Sequence, residues 1–106
     1  MNKVLEWDEA GFREAVGSGG PVLVDLFSEW CGPCKLQAKT LEETIPEIPE
    51  TVKVGKLDIT AAPSAAAEYG VTAIPTLLLF RDGAVVETCV GLCGKEKLLA
   101  MLKKHL

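Results

Sequence analysis

Cys31 and Cys34 stand two residues apart in the stretch FSEWCGPCK, residues 27–35, directly after the apolar run PVLVDL. Two thiols at this spacing can ligate a metal, close a short structural bridge, or cycle between dithiol and disulfide. Asp25 lies inside the apolar run, where an ionised carboxylate is costly and its pKa should rise. A second pair, Cys89 and Cys93, could supply the other half of a zinc site, but it lies far along the chain and on a strand edge rather than a knuckle. A structural bridge closing so short a loop as 31–34 would constrain the unfolded chain little. Redox chemistry is the favoured reading.

These residues need a scaffold, and the pattern of the chain supplies one. KVLEW (3–7) reads as a short strand; Asp8 then caps a helix through Phe12 and Val16 that stops at GSGG (17–20). PVLVDLF (21–27) is nearly continuous in apolar and β-branched residues, as expected of a central strand buried on both faces. Cys34, Ala38, Leu41 and Ile45 recur at helical spacing, and Pro46 and Pro49 should end that helix. TVKVGKLDI (51–59) reads as a strand and PSAAAEYG (63–70) as a short helix stopped by Gly70. TLLLF (76–80) and AVVETCV (84–90) form a hairpin across Asp82-Gly83. Leu98, Leu99, Leu102 and Leu106 line one side of a final helix that begins at Lys95, with Lys103, Lys104 and His105 near its C-terminal dipole. The order βαβαβαββα implies an α/β protein, a mixed sheet with helices on both faces.

Composition narrows the function further. With 106 residues, 48% of them hydrophobic, the chain should bury one core and form a single domain over 1–106. Eleven Lys and Arg against fifteen Asp and Glu give a net charge of -4, with no basic stripe for nucleic acid. No apolar run approaches membrane-spanning length, and the N-terminus lacks an apolar stretch of signal-peptide type. The chain as given reads as cytoplasmic, a setting in which cysteines serve catalysis or metal binding rather than a disulfide scaffold.

The cysteines fall where a buried strand ends and a helix begins. Pro33 suits the first helical turn, since its missing N–H would have no partner there. Cys31 is thus at the helix N-terminus, where free N–H groups and the dipole favour thiolate over thiol. That makes Cys31 the nucleophile. Cys34 lies on the apolar face, with a more buried thiol suited to the resolving role.

WCGPCK at 30–35, VDLF at 24–27, AIPTLLLF at 73–80, Asp82-Gly83 and Val90-Gly91 together resemble the thioredoxin family, in order and spacing, over essentially the whole chain. The resemblance implies the thioredoxin fold and a protein-disulfide reductase working through a redox-active Cys31–Cys34 disulfide, with Gly32 and Pro33 as the intervening pair that favours a reductant over an oxidase or isomerase. It implies that Asp25 deprotonates Cys34 through water, with Lys56 nearby to temper its pKa. It implies a cis Ile74–Pro75 bond packed against the two sulfurs, where it disfavours metal. Trp30, Ile74, Pro75, Val90, Gly91 and Leu92 would form the apolar rim on which targets dock. No bound cofactor is expected, since a thioredoxin reductase supplies the reducing equivalents. The expected partners are that reductase and disulfide-containing proteins, with the chain a monomer and neither nucleic acid nor membrane engaged.

Three positions depart from the family pattern. Lys39 stands where these proteins commonly carry a helix-kinking proline, and Phe27 where they carry a tryptophan. The third departure is the Cys89 and Cys93 pair. Alternation along AVVETCV groups Cys89 with Val85 and Glu87 on what reads as an outward face, whereas Cys93 replaces an apolar residue leading into the last helix. Two free thiols pointing different ways are expected.

Overall fold

The central strand decides the architecture. In the computed structural model, which describes residues 1–106, Pro21–Phe27 forms β2, and every residue from Val22 to Leu26 is buried. It lies in the middle of a five-stranded sheet of order β1-β3-β2-β4-β5. β1 (Val4–Trp7) and β2 run parallel to β3 (Lys53–Asp58); β4 (Thr76–Arg81) is antiparallel to β2 and to β5 (Ala84–Val90). The parallel pairs need crossovers, supplied by helices α1 (Glu9–Gly17) and α2 (Gly32–Thr44). A short α3 (Pro63–Glu68) precedes β4, and α4 (Lys95–Lys104) closes the chain.

The two faces of the sheet carry separate cores. On one, Leu23, Val54, Leu77 and Leu79 pack against Leu41 of α2 and Leu98, Met101 and Leu102 of α4. On the other, Val22, Val24, Leu26, Leu57, Leu78 and Phe80 meet Phe12, Ala15 and Val16 of α1 and Ala65 and Ala66 of α3. Phe12, Tyr69 and Phe80 make mutual edge-to-face contacts there, with centroids 5.1–6.0 Å apart. The alternation of β2 between these cores is what makes its sequence read as uniformly apolar.

Local signals set the boundaries. The Asp8 carboxylate accepts the Gly11 N–H at 2.7 Å and so starts α1. α2 runs unbroken through Lys39 to Thr44, then tightens into a 3-10 turn at Ile45–Glu47, where Pro46 lies. The hairpin turn uses positive φ at both Asp82 (51°) and Gly83 (85°), the conformation that favours Asp-Gly there.

Gly55 on β3 has a different purpose: a Cβ there would lie 2.5 Å from the Trp7 ring. Gly55→Ala should therefore destabilise the fold by roughly 1–3 kcal/mol through overpacking. Urea unfolding checks this, and adding Trp7→Leu, which removes the indole, should restore part of the loss.

Candidate active site

The site is built where β2 delivers the chain into α2. Cys31 is the N-cap of the helix in extended conformation (φ -94°, ψ 110°), and Gly32 and Pro33 make its exposed first turn. The Cys34 N–H donates to Cys31 Sγ at 3.2 Å, while Cys31 and Cys34 are joined by a disulfide. The sulfur of Cys31 thus sits at the helix's free N–H groups and positive dipole end, which stabilise negative charge on sulfur. Cys31 is half-buried, whereas Cys34 is buried on the inner face of α2. The outer sulfur is thus the more accessible of the two.

Beneath them lies Asp25, 1% exposed and with no hydrogen-bond partner for either carboxylate oxygen. Burial pushes its pKa up from 3.8 to about 6, and the Lys56 charge pulls it partly back. Lys56 is the register partner of Asp25 across β2 and β3. Asp25, Phe27, Cys34 and Lys56 line one open cleft of about 280 Å³, so Asp25 and the inner cysteine share it. That arrangement can accept and release a proton near neutral pH.

Two loops complete the surface around the disulfide. The Ile74–Pro75 peptide is cis, and the Ile74 carbonyl oxygen lies 3.9 Å from Cys31 Sγ. Thr76 Oγ1 donates to the Ala73 carbonyl at 2.7 Å, and the Gly91 N–H donates to the Pro75 carbonyl at 2.8 Å. Gly91 has φ of 83°, which turns the chain out of β5. Around this junction Trp30 is 89% exposed, Val90 65% and Leu92 52%, with Ile74 half-buried and Pro75 buried. Exposed apolar patches of this kind are common at protein-binding surfaces.

One residue of this assembly went unread in the sequence. Gln37 is fully buried; its Nε2 donates to the Cys93 carbonyl at 3.0 Å and its Oε1 accepts the Cys93 N–H at 2.7 Å. It ties α2 to the end of the Val90–Leu92 loop. The signal was present, since Gln37 falls within the apolar stripe of Cys34, Ala38 and Leu41, where a polar side chain needs a partner.

The second cysteine pair corrects an expectation. Cys89 does not face outward: it and Cys93 are both buried in the core beneath α4, and neither forms a disulfide. Alternation rightly put Glu87 and Cys89 on one face, but that face is the inner one, and Glu87 at its rim reaches His105 and Lys104 of the α4 end. A bulge between Leu79 and Phe80, where the pairing steps from Glu87 to Val85, lets Val86 pack on the same core and leaves Val85 exposed. Burial, then the Cys89 contact, pushes the Cys93 thiol up to about 12.

A disulfide at a helix N-terminus, above a buried carboxyl and beside a cis-proline turn of a mixed five-stranded sheet, defines a thiol–disulfide oxidoreductase of thioredoxin fold. A family model for thioredoxin matches residues 3–104. The chain is 49% identical over 94 residues to the thioredoxin of Chlamydia muridarum, covering 89% of this chain and 90% of that one. It is 47% identical over 89 residues to the thioredoxin of Bacillus subtilis, covering 84% and 86%. The thioredoxin structure from Malassezia sympodialis superimposes with a TM-score of 0.87 at 30% identity, covering 99% of this chain and 92% of that one. The chain belongs to the thioredoxin family and acts on protein disulfides by dithiol–disulfide exchange.

Two outcomes follow from the burial pattern. In the reduced native protein, alkylation followed by intact mass should label Cys31 fast and Cys34 slowly, with Cys89 and Cys93 reacting only on unfolding. Asp25 has a folded pKa above its unfolded one, so the folded state holds the proton more tightly and stability falls as pH rises from about 4 to about 6. Asp25→Asn should thus gain up to about 3 kcal/mol at pH 7 in denaturant unfolding, a gain that fades below pH 4.

Proposed function

We propose that this chain is a single-domain, monomeric cytoplasmic reductant, spanning residues 1–106, in which Cys31 attacks, Cys34 resolves and Asp25 takes the proton between them. The observation that carries this reading is the contrast between the two sulfurs: one at the helix N-terminus, the other buried over a carboxyl of raised pKa.

In the reduced protein the Cys31 thiolate attacks one sulfur of a target disulfide. The target's S–S bond breaks, a mixed disulfide forms, and one target sulfur leaves as thiolate. Cys34 then passes its proton to the Asp25 carboxylate and attacks Cys31 Sγ, expelling the second target sulfur. Two electrons have moved to the target, and Cys31–Cys34 is left as the disulfide. Lys56 tempers the basicity of Asp25, while Gly32 and Pro33 keep the first turn of α2 clear for an approaching chain.

Trp30, Ile74, Val90, Gly91 and Leu92 serve as the docking rim, and Pro75 holds backbone against the sulfurs, within reach of an extended target segment. No bound cofactor is needed, because the chemistry requires only the two sulfurs and a proton acceptor. A thioredoxin reductase would restore the dithiol. The bacterial relatives and the lack of any helix long and apolar enough to cross a membrane agree with a cytoplasmic setting.

Incubation with a disulfide-bonded protein substrate tests the assignment of roles. Cys34→Ser should accumulate a stable mixed disulfide through Cys31, seen by non-reducing electrophoresis and peptide mapping, whereas Cys31→Ser should form none and lose at least a hundredfold in reductase turnover. Trapping through Cys89 or Cys93 instead would show the roles to be wrong.

A further inference from the structure

Glu6, Lys56 and Asp25 stand abreast across three strands. Glu6 on β1 is in register with Lys56 on β3, and Lys56 with Asp25 on β2; residues abreast in neighbouring strands project from the same face. The row runs from solvent into the core, the Glu6 side chain being 83% exposed, that of Lys56 30%, and Asp25 buried. Charge alternates along it, with one cation between two carboxylates.

The cation sides with the outer carboxylate. Lys56 Nζ lies 3.8 Å from Glu6 Oε1 and 5.4 Å from the centre of the Phe27 ring, while both Asp25 oxygens are without a hydrogen-bond partner. Asp58, the one acid on β3, already accepts the Thr60 N–H and hydroxyl. On the far side of Asp25 the row continues as Leu77 and Cys89, so β4 brings no charge. From the elements above, Cys34 and Lys35 of α2 and Glu29 of the preceding loop line the same cleft.

The geometry points to Glu6 as a positioning residue for the exchange reaction: its carboxylate holds the Lys56 ammonium toward the solvent edge of the row and so sets how much positive charge reaches Asp25. Its catalytic consequence rests on Asp25 acting as proton acceptor for Cys34. An ion pair this exposed contributes little to stability. Its effect on the buried carboxyl is larger, because Coulomb energy varies steeply with distance where solvent screening is weak. Without Glu6, Asp25 is the one carboxylate left in the row, and Lys56 moves toward it. A closer cation favours the ionised form, so Asp25 releases its proton at lower pH.

Carbon-detected NMR titration of the Asp25 carboxyl, with stopped-flow measurement of the Cys34 step across pH, tests this in Glu6→Gln, Lys56→Met and the double variant. Glu6→Gln should lower the Asp25 midpoint by roughly half a pH unit with no loss of unfolding stability, and the midpoint of the rate profile should move with it. Lys56→Met should raise the Asp25 midpoint, and in that background the Glu6→Gln shift should shrink to less than half, the signature of an effect routed through Lys56. An unchanged or raised midpoint in Glu6→Gln, or a shift that survives undiminished in Lys56→Met, overturns the proposal. If the carboxyl shifts as expected while the rate profile stays in place, the role of Glu6 toward Lys56 stands and the role of Asp25 as proton acceptor fails.

Discussion

A carboxyl group in the middle of a strand covered on both faces is an expensive thing to keep, and the rest of the site is arranged around it. Asp25 interrupts the apolar face that Leu23 begins, beneath α2, and nothing in the protein hydrogen-bonds its oxygens. Desolvation of the charged form is what moves its proton affinity toward neutral pH. Lys56, the cation that tempers this shift, stands abreast of Asp25 on β3, and Cys34 lines the same cleft.

The disulfide depends on a different constraint, the unsatisfied N–H groups that begin every helix. α2 places one of its free donors, the Cys34 N–H, against Cys31 Sγ, and Pro33 uses a position where no donor is needed. Because α2 enters directly from the end of β2, the sulfurs and the carboxyl belong to one continuous stretch of chain. The remaining surface comes from distant segments, held by few bonds: Gly91 to Pro75 joins the two rim loops, and Gln37 fastens one of them to α2. A side-chain amide that satisfies both the N–H and the C=O of Cys93 is well suited to this, since leaving both buried groups unpaired would cost several times the bonds' net worth.

Cys89 and Cys93 show how little residue type says about reactivity. Both belong to the apolar core beneath α4, where thiols pack as small hydrophobes. Burial that raises the Asp25 pKa into a useful range raises the Cys93 thiol beyond one. The difference lies in access and in the charged neighbour, Lys56 beside Asp25 and another buried thiol beside Cys93.

Much of the molecule was legible in its sequence, because the signals there are local. The uniform apolarity of residues 21–27, the helical recurrence of Cys34, Ala38 and Leu41, the Asp8 cap and the Asp82-Gly83 turn each act over a few residues, so the order of elements and the seat of Cys31 and Cys34 follow from near neighbours. Pairing of β2 between β3 and β4, and the row of Glu6, Lys56 and Asp25, were beyond it, since register is settled by which faces must be buried together. The face of Cys89 was misread for the same reason: periodicity states which residues share a side but not which side is covered, and a bulge reset the count. Gln37 was passed over because a polar residue in an apolar stripe acquires meaning only when its partner, the Cys93 backbone 56 residues away, is brought against it. Residue types and their spacing were enough to seat the thiol chemistry on its strand and helix. Which groups share a low-dielectric space was settled by packing, because burial and charge spacing are properties of packed surfaces and not of neighbouring letters.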